Sequence, residues 1–134
     1  MQTAPWVPLI ISEAKVIDLD GDQVTLRFRL APTPDPEWEE LFEKAASHLA
    51  PAPGRPSFTF TSPVIIAGIV TCRISEHDIP GARLLMRELV DETNRHFAAI
   101  LHERAALAAY QLERVRQRRR AIAEAQRLLD QGWA

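Results

Sequence analysis

Apolar and polar positions change their spacing along this chain, and each change marks an element. Residues 1–8, with Trp6 between Pro5 and Pro8, read as an extended lead-in. Leu9–Leu19 and Asp22–Leu30 are rich in β-branched and apolar residues and predict two strands joined at Asp20-Gly21. Their register follows from which positions must be buried. A two-residue turn that pairs Lys15 with Leu26 and Glu13 with Phe28 wastes the apolar positions. A three-residue loop, Leu19-Asp20-Gly21, pairs Ile10 with Leu30, Ser12 with Phe28, Ala14 with Leu26 and Val16 with Val24. It also sets Glu13 opposite Arg27. This second register is the one expected, with Gly21 in the left-handed conformation and with one face buried and the other wet.

The spacing then lengthens. Ala31-Pro-Thr-Pro-Asp-Pro36 is a stiff connector, Asp35 reads as a helix N-cap, and Pro36 suits the first helical position. Trp38, Leu41, Phe42, Ala45 and Leu49 recur at helical spacing and form the expected buried stripe, while Glu37, Glu39, Glu40 and Glu43 sit near the positive end of the helix dipole. Pro51-Ala-Pro-Gly-Arg-Pro56 ends this helix. Ser57–Thr61 alternates Phe58 and Phe60 with polar residues and reads as a strand, interrupted by Ser62-Pro63. Val64–Ser75 is either one long strand bent at Gly68 or a tight hairpin about Ala67-Gly68. Asp78 is placed to cap a final helix with Pro80 in its first turn.

From Ala82 to Gln131 there is neither glycine nor proline, and Ala, Leu, Arg, Glu and Gln dominate. All are strong helix formers. The first half of this segment carries a wide stripe, Leu85, Met86, Leu89, Val90, Phe97, Ile100 and Leu101, broad enough to cover a sheet. Arg87, Asp91 and Arg95 stand at helical ion-pair spacing. In the second half Leu101, Ala105, Ala108, Leu112, Val115, Arg119, Ile122, Gln126 and Leu129 repeat at intervals of four and three. That is a heptad seam, narrower than the first stripe, with Arg119 and Gln126 weakening it and setting its register. No breaker residue marks a helical hairpin, so one continuous helix is expected. The predicted fold is α+β. Residues 1–80 make a head, a small antiparallel sheet of three to four strands with a short helix on one face. Residues 81–132 make a long C-terminal α-helix that packs on the sheet with its first half and extends as a coiled-coil-like rod. The whole forms a single domain.

Charge sharpens this division. The net charge of −2 conceals a balance of −6 over residues 1–103 and +4 over residues 104–134. Arg114, Arg116, Arg118, Arg119 and Arg120 fall within seven residues. Arg114 and Arg118 flank the seam on one side; Arg116, Arg120 and Arg127 flank it on the other. A parallel in-register dimer brings these rows together, which like-charge repulsion disfavours. An antiparallel arrangement sets them against acidic positions such as Glu88, Asp91, Glu92 or Glu103.

Candidate chemistry is sparse. Asp18-Leu-Asp-Gly-Asp22 resembles the start of a calcium loop, but the glycine falls at the fourth position and Arg29 occupies the twelfth, so a hairpin turn explains it. His48, His77, His96 and His102 include no pair at the spacing that brings two imidazoles to one metal. Cys72 shares a strand face with Val70 and Ile74, which makes it a small buried residue rather than a nucleophile served by His77. Glu76-His77-Asp78 suits turn and cap chemistry. No phosphate-binding glycine loop is present. No cofactor or metal is expected. Residues 1–8 carry no basic residue ahead of an apolar run, and the longest apolar run, Val64–Val70, is far short of a membrane span, so a cytoplasmic protein without membrane association is expected.

The expectation is therefore a non-enzymatic assembly or adaptor protein. Its long helix associates with a second copy, antiparallel, or with a partner helix. The alternative is a nucleic-acid-binding accessory factor using the arginine cluster, with Tyr110 as the one nearby aromatic. A small enzyme with a site near Cys72 and His77 is the third reading.

Overall fold

The structure, a computed structural model, describes residues 5–48 and 59–132. The element order is β1 (Ile10–Asp20), β2 (Gln23–Ala31), α1 (Pro36–Ser47), β3 (Thr59–Ile66), β4 (Ile69–Ser75) and α2 (Ile79–Gln131). A 3-10 turn, Glu76–Asp78, leads into α2. Leu49, the Pro51–Pro56 helix end, and Ser57 and Phe58 of the expected strand lie outside the described residues. The four strands form one antiparallel sheet in the order β1-β2-β4-β3. Two hairpins thus meet at a central β2–β4 pair, and the fold is α+β with a short helix and a long C-terminal helix against the sheet.

The core follows from alternation. Val24, Leu26, Phe28 and Leu30 on β2 and Val70, Cys72 and Ile74 on β4 are all buried, while Arg27, Arg29 and Arg73 between them are exposed. Trp38, Phe42 and Ala46 of α1 and Ala82, Leu85, Met86, Leu89, Val90, Thr93 and Phe97 of α2 are buried with them. Ala46 takes a place in the α1 stripe, and Leu41 and Ala45 are only half-buried. Trp38 stacks on Phe42 with ring centroids 5.5 Å apart. Thr93 is the buried polar residue of α2, and its hydroxyl donates to the Leu89 carbonyl at 2.7 Å. Burial therefore leaves it satisfied.

Two expectations are corrected. The β1–β2 turn is Gly21-Asp22, with Asp20 opposite Gln23, and not the three-residue Leu19-Asp20-Gly21 loop. Val16 consequently pairs with Leu26, Ala14 with Phe28 and Glu13 with Arg29. Two irregularities in β1, at Ser12 and Ile17, each add a residue and reset the phase, which a strict period of two cannot anticipate. Gly21 does have positive φ, +64°, as its turn requires. Secondly, β1 does not divide into a buried and a wet face: Val16 is 60 % and Leu19 62 % exposed although both point the same way as the buried core of β2. Asp35 does occupy the N-cap position of α1 with Pro36 at its start, though without a side-chain cap hydrogen bond, and Asp78 ends the 3-10 turn directly before α2. Among the described residues Arg87, Asp91 and Arg95 form no ion pair with one another.

The open choice over Val64–Ser75 resolves as a hairpin. Ala67 (φ +48°) and Gly68 (φ +79°) form its two-residue turn, the left-handed pair that matches strand twist. β3 spans the Ser62-Pro63 interruption, with an irregular pairing between Phe60 and Ile65. Gly68 is a meeting point of three elements. Its carbonyl accepts from the Leu30 N–H at 2.8 Å and its own N–H donates to Glu39 Oε2 at 3.2 Å. A Cβ there would stand 2.9 Å from Pro34 Cδ. The Ala31–Pro32 peptide is cis.

A second meeting point escapes any periodic reading. Asn94 Oδ1 accepts from both the Leu9 N–H and Trp38 Nε1, each at 3.1 Å, and its Nδ2 donates to the Leu9 carbonyl at 2.9 Å. One amide side chain thus ties the lead-in, α1 and α2 together. Trp6 adds an edge-on contact with Phe97 at 5.2 Å between centroids.

Candidate interaction surfaces

The chain divides into two compact units after Phe97. In the second unit α2 continues without a break to Gln131. Every described residue from His102 to Gly132 is exposed. The seam residues are therefore bare within the monomer: Leu112 is 52 %, Val115 46 %, Ile122 60 % and Leu129 57 % exposed, and Ala105, Ala108 and Arg119 are exposed beside them. Leu101, at the start of the seam, is half-buried. Leu107 and Leu128, exposed at 57 % and 56 %, were missed. Each immediately precedes a seam position and so lies about 100° around the helix from it, towards the flank that carries Arg114 and Arg118. A search confined to intervals of four and three passes over them.

The arginines are correspondingly free of carboxylates. Among the described residues Arg114, Arg116, Arg118, Arg119 and Arg120 form no salt bridge. Arg114 instead lies over the Tyr110 ring, 5.9 Å from its centroid. Arg127 differs: its Nε donates to Glu124 Oε2 at 3.0 Å. That hydrogen bond holds the Glu124 carboxyl below its ordinary pKa and raises the Arg127 guanidinium. Gln126 is engaged within the helix by Asp130 at 3.0 Å.

The chemistry considered in the head is constrained by burial. The Cys72 side chain is fully enclosed, and burial pushes its thiol up to about 12. A thiol with that pKa is not a thiolate near neutral pH, so Cys72 behaves as a small apolar core residue. His77 lies exposed in the 3-10 turn. The Asp18–Asp22 segment is the β1–β2 hairpin end, where Asp20 and Arg73 approach to 4.0 Å. Among the described residues no group of three or more His, Cys, Asp or Glu side chains is placed to hold a metal ion, and no helix is long and apolar enough to cross a membrane.

The first unit has its own uncovered surface. Two recesses lie between β1 and the start of α2. Val16, Leu26, Phe28 and Ile79 line one; Ile11, Arg87 and Val90 line the other; Ala14 and Arg83 line both. Comparison with protein families, with curated proteins and with solved structures finds no match to this chain.

Proposed function

We propose that this is a non-enzymatic assembly or adaptor protein that oligomerises, or binds a partner helix, through the C-terminal half of α2. The observation that carries the reading is the exposure of Leu112, Val115, Ile122 and Leu129 along the seam, each between 46 % and 60 %. A helix of this length owes most of its stability to packing of an apolar face rather than to propensity. A stripe with no cover in the monomer therefore calls for one from outside. The seam is Leu101, Ala105, Ala108, Leu112, Val115, Arg119, Ile122 and Leu129. The flanking rows Arg114/Arg118 and Arg116/Arg120/Arg127 favour an antiparallel pair, because parallel in-register helices stack like charges.

The test is light scattering on a sizing column at low and high salt, comparing the parent protein with Leu112→Asp/Val115→Asp. The expected result is a dimeric or larger parent and a double variant of lower mass whose head unfolds at the parent's denaturant midpoint. An unchanged mass in the variant sinks the seam. The five carboxylate-free arginines favour a second reading, a nucleic-acid-binding factor. That reading gains ground if the 260/280 nm absorbance ratio is high at low salt and collapses at high salt, since each phosphate contact releases counterions.

A further inference from the structure

We propose that the trough between β1 and the first turns of α2 is a docking site for an amphipathic helix of another protein, one that carries carboxylates beside its apolar face. The floor is apolar and open. Val16 and Leu19 face the core side of the sheet opposite Leu26 and Val24, yet stay 60 % and 62 % exposed because no described helix covers the β1 flank. The Ile17 bulge is what aligns them. Three residues apart on a regular strand, they would point to opposite faces; the added residue puts both on the inner one.

The wall supplies the charge. Arg83 and Arg87 are exposed, one turn apart on the same side of α2, and both line the trough. Like charges at this spacing cost a few tenths of a kcal/mol. Asp91, one turn beyond Arg87, and Glu13 also line the trough, but no described carboxylate forms a salt bridge with either arginine. On the strand side Lys15 is already held by Glu13 at 2.8 Å, which lowers the Glu13 pKa. With Arg83, Arg87 and Lys15 against the two carboxylates Glu13 and Asp91, the trough keeps a cationic excess beside its apolar floor and is complementary to an apolar surface edged with acid.

The same features decide against a second copy as occupant. Among the described residues the exposed apolar stripe of the C-terminal half of α2 is the seam, and its arginine rows would be brought against Arg83 and Arg87. Edge-to-edge pairing of two β1 strands is opposed by the bulges at Ser12 and Ile17 and by Lys15, the devices that guard sheet edges. A helix docked beside α2 on this flank would use the helix-in-groove mode of recognition.

The experiment uses the full chain and a fluorescent synthetic peptide of about 18 residues, long enough to form a helix on docking. Its apolar face is Leu and its flanks Glu; a Lys-flanked peptide and a scrambled Leu/Glu peptide serve as controls. Anisotropy titration is expected to show saturable binding of the Glu-flanked peptide alone. Arg83→Glu with Arg87→Glu is expected to weaken that binding by about tenfold or more and to transfer preference to the Lys-flanked peptide. Val16→Asp, with circular dichroism confirming its fold, is expected to lose both. Equal binding of the three peptides, no binding of any, or an unreversed preference overturns the proposal. So does a change in oligomeric mass on Arg83→Glu/Arg87→Glu, which would make the occupant a second copy. The seam variants leave these titrations unchanged, so the two surfaces fail or stand separately.

Discussion

Residues 79–97 and 98–131 belong to one helix and are built from similar amino acids, yet they live in different surroundings. In the first stretch Ala82, Leu85, Met86, Leu89, Val90, Thr93 and Phe97 are buried. In the second, every described residue after Leu101 is exposed, leucines included. Backbone hydrogen bonding is the same in both. What differs is where the apolar side chains find contacts, and therefore where stability resides. The first stretch is held by its own chain. The second has apolar area whose burial is worth roughly 25 cal/mol per Å² only when something else arrives to cover it.

The largest effects should come from breaking that contrast directly. Phe42, stacked on Trp38 and fully buried, is a core anchor. Phe42→Ala is expected to cost about 3–5 kcal/mol in denaturant unfolding. Ile122→Ala in the tail should leave the head transition unmoved at any concentration and shift only the concentration dependence of assembly. A head midpoint that moves with Ile122→Ala would mean the two regions share their stabilisation.

A smaller effect sharpens the account of the head. Asn94→Ala leaves the Leu9 N–H and the Trp38 indole N–H without their acceptor. The expected loss is about 1–3 kcal/mol, the usual consequence of stranding part-buried donors. Trp38 emission should shift with it. An unchanged midpoint would show that water replaces the amide at no cost. The smallest effect is a matter of pH. The Cys72 thiol, raised from 9.0 to about 12, is neutral in folded and unfolded chains below pH 9. Above that, the unfolded thiol ionises first, so the contribution to stability is lost as pH climbs from 9 towards 12. Thiol-reactive dye should accordingly label Cys72 in unfolded protein and scarcely touch the native state. Cys72→Ala should flatten this part of the alkaline stability curve.

Period carried most of the fold into view. The buried row of β2, the α1 stripe and the continuous α2 all follow from regular spacing of apolar residues. β1 did not, because bulges at Ser12 and Ile17 break its period of two, and a rule that maximises buried apolar pairs then selects the wrong register. Asn94 carries no periodic signal at all: one asparagine on an exposed-looking helix position is indistinguishable in sequence from a solvated one. Arg83 and Arg87 were likewise invisible as a wall until β1 was in place opposite them. The tail seam was legible as a pattern, because its positions recur at intervals of four and three without a break.

The continuity of α2 also governs what a melting experiment reports. Far-UV ellipticity is dominated by its 53 helical residues, many of which lie beyond Phe97, whereas the contribution of the enclosed Trp38 to emission, isolated by replacing Trp6 and Trp133 with Phe, follows the head. On heating, the two signals track different objects. Non-coincident curves would then reflect an architecture in which one helix serves two cooperative units, and a single melting temperature taken from ellipticity would describe neither of them.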